Sequence, residues 1–332
     1  MNDGNCLDAN EMDVDGNGVG SNRVSGEGYD CVATFQAGCP WTRYNWSCAY
    51  DVVFMTFFHI YQQSSESWRN GWRQQSPTWA SPLANHFDIL LKALHSPGNS
   101  PETLSKHFSS LRDKFRDQLS SHDPGNFPRR GQFFASVCLI LELLSGSVRG
   151  PGIKHNPPRI KQNLSCTKCG MTSQASPRFP YLIIIAPPNN YDGDTDPQFV
   201  SLDTLFARFV ESAPQSSRLC KDCRGAIQVQ SFSMERFPWI WFEAQPPKTA
   251  SPSPTIRIKS SDQDLIYDLH SIIYLGGEHF TARIRGPSNE WWSYDGMREF
   301  GSSQRDHVKD EADLLNNEGR HAAFFIYRRS DR

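Results

Sequence analysis

Large apolar side chains are spread unevenly along this chain. They crowd residues 49–62, where Val52, Val53, Phe54, Phe57, Phe58 and Tyr61 leave little polar face, so the pattern predicts a mostly buried helix. A connection rich in Trp, Gln and Ser follows, then an amphipathic helical period near 83–95. Ser100-Pro101-Glu102 supplies an N-cap, a first-turn proline and a first-turn acid, which start a helix running to about Leu119. A Pro/Gly-rich turn at 123–131 precedes another helix near 132–144.

The pattern changes after Pro151. Residues 181–186 and 239–243 are short β-favouring runs bounded by proline, and 255–259, 264–275, 279–285, 290–295 and 321–328 also read as strands. One helix is expected near 201–211, and 245–254 is a Pro/Ser-rich loop. A helical front followed by a mostly antiparallel back makes the fold class α+β.

Composition narrows the setting. Hydrophobic residues at 38% supply a sizeable core, and a formal net charge of −2 gives no footprint for nucleic acid or an anionic membrane. Neither a secretory signal pattern nor an 18-residue apolar span is visible, so the expected location is cytoplasmic or nuclear. Residues 1–34 are dominated at their start by Gly, Asp and Asn and are expected to form a disordered tail. Within them, Asp13-Val-Asp15-Gly-Asn17-Gly18 imitates a calcium loop, but the twelfth position is Val24 and not an acid, which excludes it.

Nine cysteines in such a compartment should be thiols, metal ligands or catalytic groups. Cys166-Thr-Lys-Cys169-Gly170 and Cys220-Lys-Asp-Cys223-Arg-Gly225 share a C-x-x-C spacing that lets two thiolates reach one ion from a tight turn. Together they predict a closed, structural Zn²⁺ site. Two independent redox pairs are the weaker alternative. The 50 residues between the knuckles, 170–219, require an inserted subdomain.

Cys48 opens the apolar helix, where the positive end of the helix dipole favours a thiolate. Far along the chain, 267–275, 279–284 and 290–295 alternate as strands joined by Gly276-Gly277 and by Gly286-Pro287-Ser288-Asn289. With a two-residue loop at Pro287-Ser288, facing residues sum to 575, which puts His279 opposite Gly296 and one step from Asp295. A thiol at a helix start, with a histidine beside a carboxylate, is the pattern of nucleophile, base and orienter. His270, mid-strand, is expected to be structural.

These boxes, in this order, resemble the ubiquitin-specific proteases, a papain-like group with a helical thumb, an antiparallel β palm and zinc-bearing β fingers. The resemblance spans roughly 36–328: a cysteine box at 45–58, fingers at 166–223, a palm strand at 237–242, a histidine box at 267–284, an aspartate box at 291–295 and a closing strand at 322–327. It implies one catalytic domain over 35–330, with thumb about 35–150, fingers about 157–236 and palm about 237–330. It implies Cys48, His279 and Asp295 as the catalytic triad, and Cys166, Cys169, Cys220 and Cys223 as zinc ligands. The implied partner is ubiquitin or a ubiquitin-like modifier with its conjugates, and the implied reaction is hydrolysis after the modifier's C-terminal Gly.

The departures from the family pattern are local. The usual oxyanion-stabilising Asn, five residues before the cysteine, is Arg43 here, and Asn45 stands where Gly is usual. Either Asn45 supplies the oxyanion donor, or the Cys48 backbone N–H works with another donor. Ala49 and Asp51 replace the usual Tyr and Asn, and an aspartate at that position is similar to the SUMO-cleaving branch. The alternatives are therefore a SUMO-type isopeptidase and a catalytically inactive modifier-binding relative.

Overall fold

In the computed structural model, the described residues are 35–42, 45–128, 130, 135–146, 160–175, 182–184, 201–204, 219–234, 237–244, 251–258 and 264–330. The tail expected over 1–34, and all but the first turn of the helix expected near 201–211, lie outside them.

Five helices come first among the described residues. Every residue of α1 (Cys48–Gln62) from Cys48 to Tyr61 is buried, as its nearly continuous apolar sequence requires. It is enclosed by α2 (Glu66–Gln75), α3 (Ala80–Leu94), α4 (Pro101–His122) and α5 (Val137–Leu144). Ser65, Ser100 and Ser136 each cap a helix by accepting a hydrogen bond from the third residue on: Trp68, Thr103 and Leu139. Aromatic rings fill the space between the helices, with Phe58 edge-on to both Phe87 and Phe108. Truncating such a ring to Ala costs about 3–5 kcal/mol.

α2 corrects the sequence reading, which made this stretch a connection. Its buried face is only Trp68, Trp72 and Gln75, and the remaining residues are polar. Two tryptophans four apart, behind a Ser-Glu start, carry the helix.

The strands form two sheets. β1 (Ile160–Cys166), β2 (Thr172–Ala175) and β4 (Ile227–Met234) make a small antiparallel sheet in the order β2-β1-β4. The large sheet takes β3 (Leu182–Ile184), β5 (Trp239–Ala244), β6 (Thr255–Ile258), β7 (Leu265–Gly276), β8 (His279–Arg285), β9 (Trp291–Tyr294), β10 (Ser303–Asp306), β11 (Asn316–Asn317) and β12 (Arg320–Arg329). Its main path runs β10-β9-β8-β7-β12-β5-β3, and among the described strands only the β3–β5 pair is parallel. Both faces of its centre are covered. Trp239 and Trp241 pack into the helical cluster, while Ile240 and Phe242 pack into a second cluster with Tyr267 and Tyr327. That is why Trp239–Phe242 of β5 is an unbroken apolar run and does not alternate. α1 lies against β8 and β7.

Candidate active site

Cys48 is the first residue of α1 and is buried. The turn before it is Asn45-Trp46, with the Asn45 N–H donating to the Thr42 carbonyl at 2.9 Å and Trp46 held at φ 46°. Ser47 donates its hydroxyl to the Asp51 carboxylate at 2.7 Å, and Asp51 pairs with the buried Arg112 of α4. Asp51 is therefore a buried brace in the first helical turn, where the dipole also favours a carboxylate. Asn45 is half-buried, and its carbonyl accepts from Arg116 of α4. Burial pushes the Cys48 thiol up from its ordinary value; backbone N–H groups of Phe280, Ala49 and Cys48 itself, with the Arg116 charge, pull the other way. Phe280, one of the groups that favour the thiolate, is the residue next to His279.

His279 begins β8. The β7–β8 hairpin closes through Gly277 and Glu278 at φ 58° and 59°, the positive values a two-residue I′ turn needs, and pairs Gly276 with His279. His279 Nε2 lies 2.8 Å from Asp295 Oδ1, and both side chains are buried. The same oxygen accepts the Met297 backbone N–H at 2.9 Å, and Asp295 Oδ2 is 4.0 Å from Arg320 Nη2. Burial pushes the Asp295 carboxyl up, but the His279 and Met297 hydrogen bonds and the charges of His279 and Arg320 outweigh it, leaving the carboxyl below its ordinary range. A proton on Nε2 leaves Nδ1 as an acceptor. That Nδ1 is buried with no hydrogen-bond partner among the described residues.

The structure corrects the hairpin register. The loop between β8 and β9 has three residues, with Asn289 at φ 66° and the Gly286 N–H donating to the Glu290 carbonyl at 2.7 Å. Ala282 faces Tyr294 and Arg283 faces Ser293, so facing residues sum to 576 and not 575. One step decides the face, because side chains alternate. In the observed register Thr281 falls opposite Asp295, which puts Asp295 and His279 diagonally on one face. The two-residue loop would have set them on opposite faces.

Residues 38–41 complete the surroundings. The Trp41 N–H donates to Gly296 at 2.7 Å, the Tyr294 hydroxyl donates to Cys39 at 2.7 Å, and the Trp41 ring stands edge-on to His279 at 5.6 Å. Gly301, at φ 60°, allows this contact, since a Cβ there would lie 2.5 Å from the Cys39 carbonyl. Cys39 itself is fully enclosed, and burial pushes its thiol up to about 12. Leu275, opposite Phe280 in the β7–β8 ladder, and Met297, whose N–H bonds Asp295, are exposed apolar residues. Sequence reasoning did not find Trp41, Arg112, Arg116 or Arg320, because each acts across a long chain separation with no local signature.

The four knuckle cysteines meet at the end of the small sheet. Their sulfurs all lie within 4.8 Å of one another, with Cys166–Cys223 at 3.4 Å and Cys169–Cys220 at 3.7 Å, and none is in a disulfide. A tetrahedral Zn²⁺ with bonds of about 2.3 Å separates its sulfurs by about 3.8 Å, so the donor set and spacing fit that ion. Each knuckle is a tight turn closed by a 3.0 Å backbone hydrogen bond, Gly170 to Cys166 and Arg224 to Cys220. The left-handed positions are Gly170 and Arg224, four residues after each first cysteine. Gly225 serves close packing instead, since a Cβ there would meet Lys168 Cβ at 2.6 Å and Cys166 Sγ at 2.9 Å.

Two other groups fall outside the site. His270 is enclosed, bonded to Ser271 at 2.7 Å and kept neutral by burial. Cys138 is half-buried, with its sulfur 3.6 Å from Glu142 and 3.9 Å from Glu243.

No family model matches the chain, and no curated protein does. Solved structures do. A structure of the SAGA Ubp8/Sgf11/Sus1/Sgf73 deubiquitinase module bound to ubiquitin aldehyde matches with a TM-score of 0.51 at 12% identity, over 90% of this chain and 71% of that one. A yeast SAGA module with a substituted Sgf73 subunit matches with a TM-score of 0.47 at 13% identity, over 90% and 70% of the two chains. The likeness is one of fold. The chain has the α+β, papain-like fold of a ubiquitin-specific protease domain such as that of the Ubp8 module, with its described helices as thumb, the large sheet as palm and the small sheet with its four-cysteine cluster as fingers.

Proposed function

We propose that this chain is a cysteine-dependent isopeptidase that hydrolyses the bond after the C-terminal Gly of ubiquitin or a ubiquitin-like modifier. What supports the reading is Cys48 at the start of α1, a helix packed on β8, and His279 at the start of β8, bonded through Nε2 to Asp295 with Nδ1 unpartnered among the described residues. The catalytic unit is 35–330, with thumb, fingers and palm divided near 150 and 236.

The chemistry rests on that arrangement. His279 Nδ1 takes the Cys48 thiol proton as sulfur attacks the glycine carbonyl carbon. The carbonyl oxygen gains negative charge, for which the Cys48 N–H and Asn45 are the candidate donors. The C–N bond then breaks, and His279 returns the proton to the departing lysine amine. Water, deprotonated by His279, attacks the thioester and releases the modifier's carboxylate and the free thiol. Asp295 holds the imidazole in the Nε2-H tautomer throughout. The exposed Leu275 and Met297 offer an apolar rim to the modifier's tail. A Zn²⁺ held by Cys166, Cys169, Cys220 and Cys223 stabilises the fingers, since four thiolates leave no open position for chemistry.

A second reading, a modifier binder without turnover, is favoured by the upward push that burial exerts on the Cys48 thiol. Fluorogenic ubiquitin and SUMO substrates separate the two. The isopeptidase releases fluorophore from at least one, and Cys48→Ala abolishes it; tight binding of a modifier with no release of either substrate contradicts the proposal.

A further inference from the structure

α4 braces the start of α1 from the side. Arg112 and Arg116 are four residues apart, share a helix face and are both buried. Arg112 pairs with the Asp51 carboxylate, and its Nε lies 2.8 Å from Asp113. Arg116 is engaged differently. Its Nη1 donates to the main-chain carbonyl of Asn45, its Nη2 donates to that of Pro128 at 3.4 Å, and its guanidinium lies 4.7 Å over the Tyr50 ring. A planar fork can bracket two carbonyls and rest on an aromatic face at once, which a lysine cannot.

The Asn45 carbonyl matters because it orients the next peptide unit. That unit is planar and trans, so fixing the carbonyl toward Arg116 turns the Trp46 N–H to the opposite side. Trp46 itself sits at φ 46°, a backbone conformation that costs on the order of 1–3 kcal/mol and persists only when neighbours hold it. Two residues later the chain enters α1 at Cys48. The brace on Asn45 thus sets the path of the segment that carries both the nucleophile and the candidate oxyanion donor.

We propose that Arg116 is a positioning residue for the nucleophile turn, fixing Asn45–Ser47 ahead of Cys48 and placing a buried positive charge beside the helix start. The proposal rests on the reading of Cys48 as nucleophile. The charged and titratable groups around Cys48 are Asp51 on α1, Arg112 and Arg116 on α4, Tyr294 on β9, and the His279–Asp295 pair. Burial disfavours the Cys48 thiolate, and Arg116 acts against it.

The test is the pH dependence of iodoacetamide alkylation at Cys48 in the full zinc-containing chain, read on the Cys48 peptide by mass spectrometry, beside turnover of a fluorogenic modifier. Arg116→Met is expected to move the alkylation midpoint up by about half a pH unit or more, because a nearby cation is lost. Arg116→Lys is expected to keep the midpoint near wild type, yet to lower kcat about tenfold at unchanged KM, because the carbonyl bracket is gone. A wild-type midpoint in Arg116→Met, or a wild-type kcat in Arg116→Lys, overturns the proposal. Should Arg116→Met fail to fold, the kcat of Arg116→Lys decides. Should no modifier be turned over by wild type, the isopeptidase reading falls while the alkylation midpoint still decides the role of Arg116.

Discussion

Arg112→Met is expected to destabilise this fold by removing the partner of a buried charge. It strips the buried Asp51 carboxylate of its cation and leaves the Ser47 hydroxyl, at 2.7 Å, as the side-chain donor. Breaking a buried pair by removing one partner costs about 3–5 kcal/mol. The Ser47 hydroxyl and the helix dipole still stabilise the unpaired carboxylate, so a loss at the low end, about 3 kcal/mol, is expected. Asp51→Asn should cost less, about 1–2 kcal/mol, because Arg112 keeps Asp113 at 2.8 Å and the amide keeps the shape. The double variant buries no charge from the pair, and should lose at least about 1.5 kcal/mol less than the two single losses together. Chemical denaturation of zinc-loaded protein measures this as shifts in midpoint at constant slope. A loss under about 1 kcal/mol for Arg112→Met, or losses that add to within about 0.5 kcal/mol, would refute the brace.

The remaining predictions concern the cysteine cluster and the histidine. One Zn²⁺ per chain is expected by metal analysis; Gly225→Ala should release it to a chelator far faster than wild type, whereas Gly170→Ala, with open space around its Cβ but φ 71°, should keep it at a cost of about 1 kcal/mol. His279→Ala should reduce modifier hydrolysis to near background, and Asp295→Asn should lower kcat by less than the roughly 10⁴-fold loss seen for the analogous change beside a serine, since a thiol depends less on strong base help. In acid, the stability Asp295 contributes is complete above its ordinary carboxylate value, 3.8, and disappears as pH falls through its lower folded value. Asp295→Asn should therefore show a shallower fall in melting temperature than wild type on acidification.

What the sequence disclosed was local. The apolar run of α1, the Ser-Pro-Glu start of α4 and the paired knuckles are each written in a few consecutive residues, and the structure places them at those positions. α2 was missed because a helix that buries two tryptophans on a narrow stripe is polar by composition. The β8–β9 register turned on whether Asn289 enters the left-handed region, which Asn tolerates but which the sequence around it does not demand. Arg112 and Arg116 were invisible for a different reason. Their partners are 61 and 71 residues away in the chain, and only the packing of α4 on α1 brings them together.

The central claim is that Cys48 is the nucleophile and that its substrate is a modifier tail. Incubation with ubiquitin and SUMO probes bearing a C-terminal electrophile, read by intact mass and peptide mapping, tests it in one step. The account predicts a single adduct of one modifier mass on Cys48, lost in Cys48→Ala, with Cys39 unlabelled because it is enclosed and its thiol is pushed up to about 12. An adduct that survives Cys48→Ala, or no adduct with either probe, would contradict it.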